Sequence, residues 1–253
     1  MYLLHNKTRT QSLLFVSKHL NYDASKTIPT LILFFVKSYV FNPNHQEMRV
    51  FFYTIAVLGL FACNEAKKLP ILGERQVVNR EKDGKVFTDT IYHTIPEFSF
   101  VNQDGQNVSE KTFEGKIYVT DFFFTTCPSI CPKMKQQMLR VYEKYKKDDR
   151  ILLLSHSISR EDSVPVLKSY AKKINIETSK WHLVTGDWNK IEQMAKKYFV
   201  GVQEDPNEPG GYLHNGYFVL VDKQKHIRGV YDGTNPKEVD KLLSDIDILL
   251  DEK

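Results

Sequence analysis

At 253 residues, 42% hydrophobic and 26% charged, the chain has the make-up of a soluble globular domain with some leader sequence. Its formal net charge is +4, and it has neither a long basic run nor an aromatic stripe among basic residues. Nucleic-acid binding is therefore set aside.

The N-terminal stretch differs from the rest. Leu31–Val36 is apolar but short, and Lys37 interrupts it. In "MRVFFYTIAVLGLFACNEAKK" (48–68), Arg49 supplies a positive start and Phe51–Ala62 an apolar run too short to span a bilayer comfortably. Ala62-Cys63 and a charged tether follow. This is the layout of a bacterial lipoprotein signal with Cys63 lipidated, although Phe61 stands where a small residue is usual. On that reading Met48 is the true start, and residues 1–47 are a non-native or disordered upstream segment. Residues 48–62 are signal peptide or membrane anchor, 63–92 tether and extension, and 93–253 the folded domain. The alternative is an uncleaved signal anchor beginning further upstream. Either way, the domain lies outside the cytoplasm.

From residue 95 onward the pattern is regular. "PEFSFVNQDGQNVS" (96–109) alternates around Asp104-Gly105, a hairpin turn signal. "KIYVTDFFFT" (116–125) is apolar almost throughout, as in a strand buried on both faces. A helix follows at Pro132, with Met134, Met138, Val141, Tyr142 and Tyr145 along one face. Next come a strand over 150–158, a helix over 161–174, a strand over 181–186 and a helix near 188–199. Residues 201–213 ("GVQEDPNEPGGYL") read as a mobile loop. Strands 216–222 and 226–232 then form a hairpin, and a final helix covers 237–250. This order predicts an α/β thioredoxin-like sandwich: a mixed central sheet with helices on both faces.

Cys127 and Cys131, in "TTCPSICPKM" (125–134), fall between a central strand and the first turn of a helix. The unpaired N–H groups of a helix start favour thiolate, which is both the nucleophile and the metal ligand. The pair is thus competent for disulfide chemistry or for chelation. His214, before the strand at 216, is the candidate third ligand, and a Cys₂His set suits monovalent copper. No proline stands beside it in Leu213-His214-Asn215-Gly216, where thioredoxin-like oxidoreductases carry a cis-proline. His93, His156, His182 and His226 read as structural, and Met134 and Met138 as core. Asp121 is read as a strand-end carboxylate reaching water. The alternative is a buried acid that resists ionisation and exchanges a proton with a thiol.

With these motifs placed, residues 93–250 resemble the Sco/SenC family of copper-binding assembly proteins for cytochrome c oxidase. The resemblance rests on "TTCPSICPKM", the downstream His214, "SISREDSVPVLKSYAKK" (157–173) and "WHLVTGDWNKIEQMAKKYFV" (181–200). It implies a thioredoxin-like domain on the periplasmic side of the inner membrane, with copper on Cys127, Cys131 and His214. Delivery would be to oxidase subunit II, with other copper chaperones or thiol reductants as further partners. Ser129 and Leu213 stand where the family often carries acids. A thiol–disulfide oxidoreductase using Cys127 and Cys131 remains the enzymatic alternative, and a copper or redox sensor a third reading. A peroxiredoxin fits less well, because Phe124 stands where such enzymes place a threonine.

Overall fold

The computed structural model describes residues 68–252, so Cys63 and the signal segment lie outside it. No helix among the described residues is long and apolar enough to cross a membrane. The described part opens on a two-stranded hairpin, β1 (Arg75–Lys82) and β2 (Lys85–Tyr92), within the stretch read as tether and extension. It turns at Asp83-Gly84, both with positive φ. Alternation is weak here and most side chains are exposed, which is why the sequence pattern did not disclose these strands.

The main sheet has seven strands: β3 (Ser99–Asn102), β4 (Asn107–Ser109), β5 (Ile117–Phe123), β6 (Ile151–Ser157), β7 (Trp181–Thr185), β10 (Tyr217–Val221) and β11 (Ile227–Asp232). Their spatial order is β11-β10-β5-β6-β7-β3-β4. β5, β6 and β7 run parallel, while β10 is antiparallel to β5 and β3 antiparallel to β7. All seven residues of β5 and all seven of β6 are buried, as expected of strands covered on both faces.

Helices α1 (Cys131–Tyr145) and α2 (Val164–Lys173) are the crossovers between the parallel strands. Met134 of α1 and Tyr170 of α2 face Asp121, Ser155 and Trp181 across one small void. Helix α4 (Pro236–Asp251) lies beside α1, with the Tyr145 hydroxyl donating to the Leu243 carbonyl and the Asp247 carboxylate, each at 2.8 Å. Helix α3 (Trp188–Lys197) covers the other face, where Tyr198 abuts Phe122 and His156. This is the thioredoxin-like arrangement anticipated from the element order.

The segment 201–213 departs from its reading as a plain loop. Val202–Glu204 (β8) and Tyr212–His214 (β9) pair as a short hairpin, with Val202 opposite His214. Gly210 lets its turn close on the core. Its φ is +92°, and a Cβ there would lie 2.6 Å from the Phe124 ring. His214 consequently ends a strand of its own rather than directly preceding β10. His93 is likewise part of the packed unit, stacked near Phe199 with Nε2 3.0 Å from the Lys197 carbonyl.

At the end of the sheet away from the cysteines, buried Arg228 gathers the chain entry. It donates to Asp222 (2.9 Å), Glu252 (2.9 Å) and the carbonyls of Leu69 (2.6 Å) and Pro70 (3.2 Å). These two carboxylates and two carbonyls give the guanidinium the acceptors that its burial requires.

Candidate metal centre

The site forms at the C-terminal end of β5. Phe123 pairs with Ser157 at that edge, after which the chain leaves the sheet and turns into α1. Cys131 is the first residue of α1 and Pro132 the second. Proline fits because the first-turn N–H groups have no intrahelical partner. No side chain caps this helix and its first turn holds no acid. The positive end of the helix dipole is thus left facing the thiols.

Cys127, Cys131 and His214 are each buried, at 8%, 5% and 7% exposure. Their ligand atoms all lie within 4.8 Å of one another, the one such group among the described residues. Cys131 Sγ is 3.4 Å from His214 Nε2. Cys127 Sγ is 3.6 Å from Ser129 Oγ. Both cysteines are free thiols. His214 Nδ1 is buried with no hydrogen-bond partner among the described residues, and the imidazole meets Phe124 edge-on at 6.0 Å. Phe124 also packs against Tyr212, so it forms the floor on which the histidine hairpin rests.

The two thiols titrate as a pair. The Cys131 thiol beside it holds Cys127 down, to about 3; burial opposes this, while His214, the Cys131 N–H and Ser129 add to it. The same contact with the Cys127 thiolate, together with burial, pushes Cys131 up. One thiolate is therefore ready as nucleophile or ligand, and the second forms once its proton is displaced. Soft thiolates joined by one imidazole in a buried pocket match the donor preference of monovalent copper.

Asp121 corrects the reading of a water-facing carboxylate. It is 4% exposed, accepts a hydrogen bond from Ser155, and lines the same small void as Cys131. Burial raises its pKa to about 7, against the opposing Ser155 hydrogen bond and the nearby His214. Met134 and Met138 lie in the core at 1% and 0% exposure. His156 and His182 are buried in strands away from the sulfurs, and neither joins the cluster.

Sequence reasoning missed a buried carboxylate beside the site. Asp162 precedes α2 and accepts from the Thr125 N–H (2.9 Å), the Thr125 hydroxyl (2.5 Å) and the Ser157 hydroxyl (2.5 Å). Its neighbours "REDSVP" look like an ordinary polar helix start. The pairing of β5 with β6 brings Asp162 to Thr125, 37 residues earlier, and no local signal carries that.

Residues 88–250 match the SCO1/SenC family over their whole length. The chain belongs to the SCO1/SenC family. A SCO1 protein homolog of Bacillus subtilis is 30% identical over 166 residues, covering 64% of this chain and 86% of the relative. Among solved structures, a SCO1/SenC family lipoprotein from Bacillus anthracis aligns with a TM-score of 0.57 at 28% identity, covering 62% of this chain and 95% of that one. BsSco, a member of the Sco family of cytochrome c oxidase assembly proteins in which a disulfide switch was identified, aligns at 0.57 and 29%, covering 64% and 95%. Arabidopsis thaliana ScoI with copper bound shares the fold, at 0.51 and 23% identity, covering 60% and 97%.

Proposed function

We propose that this SCO1/SenC protein is a copper metallochaperone for cytochrome c oxidase assembly, carrying the metal on Cys127, Cys131 and His214. The observation that carries the reading is the convergence of two buried sulfurs and one buried imidazole, from positions 83 residues apart in the chain, within 4.8 Å. His214 presents Nε2, 3.4 Å from Cys131 Sγ, as the third ligand atom. Cys127, whose pKa the Cys131 thiol lowers, binds as thiolate, and Cys131 releases its proton on binding. Transfer then proceeds by ligand exchange with a partner that offers its own thiolates and imidazoles, the binuclear copper site of oxidase subunit II. The family relationship to BsSco supports the oxidase role. The lipoprotein relative supports membrane anchoring, which this reading assigns to Cys63 with the domain facing the periplasm.

The test is a Cu(I) titration of the reduced protein against a chromophoric chelator, with Cys127→Ser, Cys131→Ser and His214→Ala beside the parent. Each variant should bind more weakly. Undiminished affinity in all three would refute the assignment.

A second reading has its own support in the disulfide switch of BsSco and the low-lying Cys127 thiolate. Cys127 would attack a partner disulfide, releasing one partner thiol and forming a mixed disulfide. Cys131, deprotonated, would then attack Cys127 Sγ, closing the Cys127–Cys131 bond and freeing the second partner thiol. Rapid reduction of a disulfide substrate, unchanged by His214→Ala, would favour this reading over delivery.

A further inference from the structure

We propose that the segment Ser157–Asp162 is a positioning bracket that sets the distance between the cysteine arm and the histidine arm of the site. The inference rests on the copper reading of Cys127, Cys131 and His214.

One end of the bracket grips the cysteine loop. Asp162 is 2% exposed, and both of its carboxylate oxygens are used. They accept from the backbone and hydroxyl of Thr125, two residues before Cys127, and from the Ser157 hydroxyl at the end of β6. A buried carboxyl group with three donors is a stiff joint, because breaking any one bond leaves a buried polar group without solvent to replace it. The other end reaches the histidine hairpin. The Arg160 N–H donates to the Tyr212 hydroxyl at 3.2 Å, and Arg160 Nε donates to Glu204 Oε1 at 2.8 Å. Tyr212 lies two residues before His214 on β9, and Glu204 is its partner across the hairpin. Trp188 braces the segment from α3. Its indole N–H donates to the Ile158 carbonyl at 2.8 Å, and the Arg160 guanidinium sits 5.0 Å from its ring centroid.

The two joints differ in strength. Arg160 and Glu204 are 56% and 45% exposed, so water and salt screen their attraction. The cysteine arm is therefore held firmly and the histidine arm lightly, and the hairpin is the part that yields. A site built this way opens by releasing its imidazole while both sulfurs stay in place, which suits metal hand-over by ligand exchange. Neither Arg160 nor Asp162 touches the metal; both act through the residues that do.

The experiment measures Cu(I) affinity and the rate of Cu(I) release to a chromophoric chelator for the full chain. The variants are Asp162→Ala, Asp162→Asn, Arg160→Glu and the swap Arg160→Glu/Glu204→Arg, with parent and His214→Ala as references. Asp162→Ala should weaken binding by about 10- to 100-fold, and Asp162→Asn, which keeps an oxygen acceptor, by less. Arg160→Glu should speed release by about two- to five-fold, and the swap should restore the parent rate. Raising the salt should speed release from the parent, where it screens the attraction, and slow release from Arg160→Glu, where it screens the repulsion from Glu204. A role in folding alone would not produce rescue by the swap. Parent-like affinity and release in Asp162→Asn and Arg160→Glu overturn the bracket, as does a swap that fails to restore release. Both of these results can be obtained even if Asp162→Ala does not fold. A parent that binds no copper, or a His214→Ala that matches it, sinks the copper reading and the bracket with it.

Discussion

His156 offers a quantitative test of how the core separates structural histidines from the site. It is fully buried in β6, stacked on Phe122 at 4.6 Å and bordered by Phe98, Phe100 and Tyr198. Its Nδ1 lies 3.2 Å from the Thr120 hydroxyl, and its Nε2 has no partner among the described residues. Burial lowers its pKa from 6.5 to about 3, so the folded protein keeps the ring neutral. The unfolded chain takes up a proton near 6.5, and the folded chain does so only near 3. Stability from this group is therefore fully present above 6.5 and is lost as the pH falls from 6.5 toward 3. At pH 4.5, two units below the unfolded value, the loss is about 3 kcal/mol; at pH 7.5 it is about zero. His156→Phe removes the titration. Its packing effect is the same at both pH values and cancels in the comparison. Relative to the parent, the variant should gain about 3 kcal/mol between pH 7.5 and pH 4.5. Urea unfolding followed by tryptophan fluorescence measures this, since Trp181 is buried. A variant-minus-parent difference that does not move between the two pH values would show that His156 titrates as if in water, and the reasoning about its burial would fail.

Two further outcomes follow from the site and its floor. Iodoacetamide should alkylate Cys127 at a rate that stays level from pH 8 down to pH 5, because its thiolate persists to about pH 3; a rate that rises with a midpoint near the ordinary thiol value would contradict the coupling to Cys131. Met138→Ala, at a position with 0% exposure, should destabilise the fold by about 2–5 kcal/mol and leave Cu(I) affinity per folded molecule unchanged, and a selective loss of affinity would instead make the thioether a ligand.

Apart from β8 and β9, the order of the main strands and helices from Ser99 to Asp251, the buried central strand and the helix that opens at the cysteines were legible in the chain, because period and turn chemistry are local properties. So was the pairing of Cys127 with Cys131, four residues apart around a helix start. The β8–β9 hairpin was hidden because its strands are three residues each, too short to show alternation between glycines, prolines and acids. Asp121 was ambiguous because an acid in an apolar strand points to water or to a void depending on which neighbours cover it, here α1 and α2. The meeting of His214 with the sulfurs and the grip of Asp162 on Thr125 depend on contacts 83 and 37 residues apart. The sequence alone thus determined which donors are present and which elements carry them. Only the packed sheet decided which donors meet, because strand register and the closure of one hairpin on Phe124 are set by the whole core at once.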